Sequence, residues 1–359
     1  MKKLATSAII VAAAAVALSG CGAAPGTGGT NTTAPAATQY PDFLACMISD
    51  AGGFDDRSFN QSGWEGMTRA EKELGIKVKK AESKDSTDYA NNLASMQDQK
   101  CDITFTVGYN LSDATKAQAT KFPDTKFAIL DDNQISLPNV KSLIFKTSDA
   151  AFLAGYAAAG YSKTGTVATF GGIKLPTVTI FMDGFVDGVA QYNKDFSKSI
   201  KVLGWDKEKQ DGSFTGDFDD QTKGQNLSNN FISQGADVIM PVAGPVGAGA
   251  SAAAKAAGNV AIVWVDADGY ESSPQFKDLF LTSVVKQMSV TVYDTILATA
   301  QGKYSNTTYV GTLANDGVGI APYHDYESKL SKDVQDKITD LKKQIVDGKL
   351  KVTSPSDPQ

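Results

Sequence analysis

The chain has 359 residues, with 40 acidic against 34 basic side chains and a net charge of −6. An acidic balance with no basic tract argues against nucleic acid and against anionic lipid headgroups as partners. One histidine and three cysteines leave little for metal or thiol chemistry, and no cofactor is expected.

Met1-Lys2-Lys3 forms a basic start, and Leu4 to Leu18 is a run of small and apolar residues. The run has the length of a signal-peptide core and is short for a membrane span, which needs about 20 apolar residues. It leads into Leu18-Ser19-Gly20-Cys21, the pattern of a bacterial lipobox. Residues 1–20 are therefore read as a lipoprotein signal peptide and Cys21 as the lipidated new N-terminus. Two acyl chains at about 0.8 kcal/mol per CH₂ suffice for stable anchoring. Cleavage removes two lysines, so the mature balance is about −8. Residues 21–39 lack large apolar side chains and read as a flexible tether. The fold is expected over residues 40–352, enough chain for two lobes, and 353–359 as a disordered tail.

From Phe43 onward, apolar strands alternate with helices. Strands are predicted at 43–48, 76–78, 102–107, 126–130 and 142–145, with helices at 58–74, 89–100, 113–121 and 149–161. The same rhythm restarts, with strands at 165–170, 201–203, 237–240 and 261–265 and helices at 178–192, 222–234 and 249–257. Continuous apolar strands joined by helices predict parallel sheets covered on both faces. The fold class is α/β, two doubly wound Rossmann-like lobes whose ligand loops face a shared cleft. A strand at 280–285, a helix at 290–300, a segment at 308–313 and a charged helix at 331–346 predict repeated crossings between lobes, hence a multi-strand hinge. Residues 40–162 plus 268–303 are assigned to lobe 1, and 163–267 plus 304–352 to lobe 2. Cys46 and Cys101 either form a disulfide, which an extracytoplasmic compartment permits, or remain two buried thiols.

The loop after the first strand is the most informative: Ile48-Ser-Asp-Ala-Gly-Gly-Phe-Asp-Asp-Arg-Ser-Phe-Asn-Gln-Ser-Gly-Trp-Glu-Gly66. Asp50 follows the strand, two glycines allow a tight turn, and Ser58 or Asn60 opens the helix. This loop resembles that of the basic membrane protein family of substrate-binding lipoproteins, the purine-nucleoside receptor type, with Arg57 where lysine is usual. Further matches are Phe152-Leu-Ala-Gly-Tyr156, Gly171-Gly172, Phe181-Met-Asp-Gly-Phe185, Gly212-Ser-Phe214, Gln234-Gly-Ala-Asp-Val-Ile239, Val265-Asp266 and Leu281-Thr-Ser-Val-Val-Lys286.

The resemblance implies a lipid-anchored, extracytoplasmic binding protein of an ABC importer of the periplasmic-binding-protein type I fold. Its partners would be a nucleoside, the transporter permease and the membrane through its anchor, and it would act as a monomer. It further implies that Phe59 and Phe214 stack on the base, Asp50 and Asn60 flank the base edge, Asp266 and Lys286 hold the ribose, and Gly244 lets the backbone approach the sugar. Purines suit two aromatic faces, and vicinal hydroxyls suit a carboxylate beside an ammonium. Asp268, Asp131 and Asp132 are competing strand-end acids, while Asp55 and Asp56 brace the loop. Gly244-Pro-Val-Gly-Ala-Gly249 lacks the dinucleotide spacing, and His324 has no nucleophile signature beside it. A different solute such as a sugar, a nucleoside-cleaving hydrolase and a surface antigen with a vestigial cleft are the alternatives.

Overall fold

The structure is a computed structural model that describes residues 38–358; the expected signal peptide, Cys21 and nearly all of the tether lie outside the described residues. The first run of elements is β1 (Leu44–Ile48), α1 (Phe59–Leu74), β2 (Lys77–Ala81), α2 (Ser86–Asp98), β3 (Ile103–Val107), α3 (Ser112–Lys121), β4 (Lys126–Leu130) and β5 (Val140–Phe145). Helix α2 starts three residues before the predicted Tyr89, because Asp85 accepts a hydrogen bond from the Thr87 amide at 2.8 Å, a side-chain N-cap. The second run is α4 (Thr147–Tyr161), β6 (Thr166–Gly171), α5 (Pro176–Phe196), β7 (Lys201–Leu203), β8 (Trp205–Asp206), β9 (Asp211–Gly212), α6 (Gln221–Ser233), β10 (Val238–Val242), α7 (Val246–Ala257), β11 (Ala261–Asp266), α8 (Gly269–Ser272) and β12 (Phe280–Lys286). The chain closes with α9 (Met288–Ala300), β13 (Tyr309–Gly311), β14 (Val318–Ile320) and α10 (Lys332–Val346).

Two six-stranded sheets result. The first runs β13-β5-β4-β3-β1-β2 and the second β14-β12-β11-β10-β6-β7. Every pairing in them is parallel except β12 with β14. Strands β3 and β10 are buried along their whole length, as a sheet covered on both faces requires; β10 is apolar throughout, and in β3 the buried Thr106 hydroxyl is satisfied by Thr115 Oγ1 at 2.9 Å. Strand β2 carries three lysines, which discourage further pairing at an edge. Cys46 in β1 and Cys101 just before β3 form a disulfide, with Cα atoms 5.9 Å apart.

The lobe boundaries differ from those drawn on the sequence. Helix α4, expected in lobe 1, packs on α5 and against β12 and β14. A Cβ on Gly155 would meet the Phe185 carbonyl oxygen at 2.1 Å, and one on Gly188 the Phe152 carbonyl oxygen at 2.0 Å. Only glycine permits so close a helix contact. Strand β12, also expected in lobe 1, pairs with β11 in the second sheet. The chain therefore crosses at Lys146, at Gln287 and between β13 and β14. Lobe 1 is completed by α9, packed on α1, and by β13; lobe 2 by β14 and by α10, packed on α4.

The expected disordered tail is bound instead. Ser354 Oγ donates to Asp183 Oδ2 at 2.6 Å, Ser148 Oγ to Asp357 Oδ1 at 2.5 Å, and Lys207 Nζ to the Thr353 carbonyl at 2.6 Å. Asp183 and Ser148 are fully buried, and buried polar groups demand partners. The tail supplies them.

Candidate functional site

In a parallel sheet the loops beyond the carboxyl ends of the strands gather the ligand-facing side chains. Here Asp50 follows β1, Gly108 and Tyr109 follow β3, and Asp131 follows β4. From the other lobe, Gly244 follows β10, Asp266 ends β11 and Lys286 ends β12. Asp50, Tyr109, Asp131, Gly244, Asp266 and Lys286 line one interlobe cavity, together with Phe59 and Asn60 from the start of α1. Its empty space is about 540 Å³, the mouth included.

One end of the cavity is built on the α1 N-terminus. Asp56 accepts from the amides of Ser58 at 3.0 Å, Asn60 at 2.8 Å and Gln61 at 3.0 Å. This carboxylate, rather than Ser58, satisfies the free N–H groups of the first turn. Asn60 Nδ2 donates to Asp50 Oδ1 at 2.9 Å and to Asp56 Oδ2 at 3.1 Å. Asn60 Oδ1 is buried and has no partner among the described residues. Burial pushes Asp50 up to about 8, opposed by the Asn60 hydrogen bond and assisted by the charges of Asp56, Asp131 and Asp219. At neutral pH its carboxyl group is therefore protonated and can donate. Burial also raises Asp56, to about 6, against the three amides that hold it down. Gly108 has φ +112, and a Cβ there would stand 2.6 Å from Asp50 Oδ2 and 3.4 Å from the Phe59 ring; the position requires glycine.

The other end is ionic. Lys286 Nζ lies 2.5 Å from Asp131 Oδ2 and 3.2 Å from Asp266 Oδ1, with all three side chains buried. Burial alone would lower Lys286, but the two carboxylates outweigh it and hold the ammonium above its ordinary value. One ammonium shared by two acids leaves a net negative centre, and burial raises Asp131 accordingly. Asp131 and Asp266 both adopt left-handed backbone, with φ of 61° and 68°, a region aspartate tolerates better than most residues. Ser58 Oγ donates to Asp266 Oδ2 at 2.9 Å. Lys286–Asp131 and Ser58–Asp266 thus tie the two lobes together across the cleft. The ammonium also lies 4.7 Å from the centroid of Phe59 and 5.1 Å from that of Phe181, within cation–π range.

Six of the seven ligand-site residues expected from the sequence converge here. Phe214 does not: it is absent from the cavity lining, packs edge-on to Trp205 at 5.9 Å and covers Gly171, where a Cβ would strike its ring at 2.6 Å. Phe218, four residues on in the same glycine- and aspartate-rich loop, lines the cavity in its place, as does Phe181 of α5. Both rings stand in one loop with the same kind of neighbours, so its composition does not tell them apart. Tyr109 and Asp131 follow strands, a position that marks them without periodicity. Asp268 lies outside the cavity; it caps Tyr270 at 3.1 Å and pairs with His324 Nε2 at 2.7 Å. His324 in turn stacks on Tyr270 with ring centroids 4.0 Å apart.

Two α/β lobes joined by three crossings, with a polar and aromatic cleft between the strand ends, define a solute-binding protein of the type I periplasmic-binding fold. A solute-binding protein from Aeropyrum pernix K1 superimposes with a TM-score of 0.80 at 23% identity, covering 88% of this chain and 94% of that one. Residues 43–355 match the family of PnrA-like substrate-binding proteins of ABC transporters, and the chain belongs to that family. It is therefore a binding protein and not an enzyme. The ABC transporter nucleoside-binding protein BmpA of Lactococcus lactis subsp. cremoris is 34% identical over 99% of this chain and all of that protein. The CD4+ T-cell-stimulating antigen of Listeria innocua is 32% identical over 87% of this chain and 88% of its own. No helix among the described residues is long and apolar enough to cross a membrane.

Proposed function

We propose that this protein captures a nucleoside, with purines preferred, in the interlobe cleft at the outer face of the cell membrane and delivers it to an ABC permease. The observation that carries this reading is the buried Lys286, held by Asp131 and Asp266 against the Phe59 ring. A ribose fits such a centre, because vicinal hydroxyls donate to a carboxylate and accept from an ammonium in charge-assisted bonds. The base then lies toward Asp50 and Asn60, between Phe59 and Phe218. There a neutral carboxyl donates and the unpaired Asn60 amide oxygen accepts, which suits a base edge bearing both kinds of group. Stacking adds about 0.5–1.5 kcal/mol per ring beyond burial. The relative from Lactococcus lactis is named for nucleoside binding, which agrees.

The protein is held at the membrane by lipid on Cys21 after removal of residues 1–20. The Cys46–Cys101 disulfide suits an oxidising compartment outside the cytosol. Two experiments test the reading. Calorimetry of the mature protein with adenosine, 2′,3′-dideoxyadenosine and ribose should show tight binding of the first alone. The dideoxy analogue should lose on the order of 1–3 kcal/mol per unpaired hydroxyl partner. Tight binding of a free sugar with none of adenosine would refute it. For the anchor, intact mass of the membrane-extracted protein should show lipid at Cys21, and Cys21→Ala should release or leave unprocessed protein.

A further inference from the structure

A second cavity adjoins the first. Its empty space is about 860 Å³, the mouth included, and Tyr109, Asp131 and Thr177 line both. Its outer wall is Pro355, Ser356, Asp357 and Pro358 of the C-terminal tail. That wall is fastened: besides the three bonds already described, Thr179 Oγ1 and Ser356 Oγ lie 2.9 Å apart, and the Ser354 amide donates to Asp357 Oδ2 at 3.0 Å. Both oxygens of Asp357 are thereby oriented by Ser148 and Ser354.

We infer that the tail walls a second subsite that receives the 5′ side of a bound nucleoside and admits a hydroxyl or ammonium group there while rejecting phosphate. This rests on the nucleoside reading. Asp50 and Asn60 line only the first cavity, whereas Asp131 lines both. A nucleoside with its base at Asp50 and its ribose at Asp131 therefore has the second chamber as the space beyond its sugar. The ionisable side chains lining that chamber, apart from Tyr109, are Asp131, Asp132 and Asp357, with no lysine, arginine or histidine among them. The neighbouring cations are already engaged: Lys286 by two carboxylates, and Lys146 by Asp149 at 3.1 Å and the Val352 carbonyl at 3.3 Å. A phosphate would bring added negative charge close to three acids in a partly dry pocket, where like charges repel far more than in water. Hydroxyl and ammonium donors instead find acceptors in Asp132, Asp357 and Ser356.

The test is calorimetry with adenosine, adenosine 5′-monophosphate and 5′-amino-5′-deoxyadenosine on the mature protein, on Asp357→Asn and on a chain ending at Val352. The wild type should bind adenosine and the amine within about tenfold of each other, and the monophosphate at least ~100-fold more weakly. In both variants the ratio of monophosphate to adenosine affinity should rise at least about tenfold. Should the shortened chain fail to fold, as thermal unfolding would reveal, Asp357→Asn decides alone. Equal wild-type affinity for adenosine and its monophosphate, or an unchanged ratio in Asp357→Asn, overturns this inference and leaves nucleoside capture standing. A wild type that binds neither nucleoside overturns both.

Discussion

Asp50→Asn isolates the ionisation of the cleft. Asp50 is buried with Asn60 as its hydrogen-bond donor, and burial raises it from 3.8 to about 8. Between those values the folded protein keeps a proton that the unfolded chain has released. Stability therefore falls as pH rises, by about 1.4 kcal/mol per unit from this group alone. The contribution is fully present below about pH 4 and is lost as pH climbs through about 8, a total on the order of 5 kcal/mol as a ceiling. Asparagine keeps an acceptor for Asn60 and has no proton to lose. Urea unfolding of both proteins at pH 5, 6, 7 and 8 should show the variant gaining about 3–4 kcal/mol on the wild type between pH 5 and pH 8. Asp56, raised to about 6, titrates in both proteins, so the part of its contribution that does not depend on Asp50 drops out of the difference. Nucleoside affinity should follow the same proton, with the wild type weakening above about pH 8 and the variant not. A difference in stability that stays flat across this range would refute a protonated Asp50.

Three further outcomes are expected. Lys286→Met strands Asp131 and Asp266 in the interior, so urea unfolding should show a loss of about 3–5 kcal/mol, with part regained when Asp131→Asn is added; an unaltered midpoint would contradict the buried pairing. Phe59→Ala and Phe218→Ala should each weaken adenosine binding by about 1–3 kcal/mol in calorimetry, while Phe214→Ala should lower the melting temperature and spare affinity; the reverse pattern would restore Phe214 as the stacking ring. Cys46→Ser removes a cross-link between residues 55 apart, and denaturant unfolding should report a loss of about 4 kcal/mol by loop-closure entropy, against no change if the cysteines are not bonded.

The sequence by itself determined the kind of fold and most of the site. Strands buried on both faces are mostly apolar, so their ends are visible, and parallel order puts those ends at a ligand cleft. Asp50, Asp266 and Lys286 could be placed at the cleft because each stands at the end of such a strand, whereas Phe59, Asn60 and Gly244, and the ligand role of every one of the six, rest on the family resemblance of the loops that carry them. Only the tertiary structure decided the rest, for three physical reasons. Helix α4 is small and apolar all round, so it has no face that points to one lobe, and its place was settled by the glycines of α5. Phe214 and Phe218 share a loop with no periodicity, so which ring turns inward depends on Gly171 and Trp205, far away in the chain. The pairing of Lys286 with Asp131 joins residues 155 apart, and the tail binds buried groups of α4 and α5; local pattern carries no record of either contact.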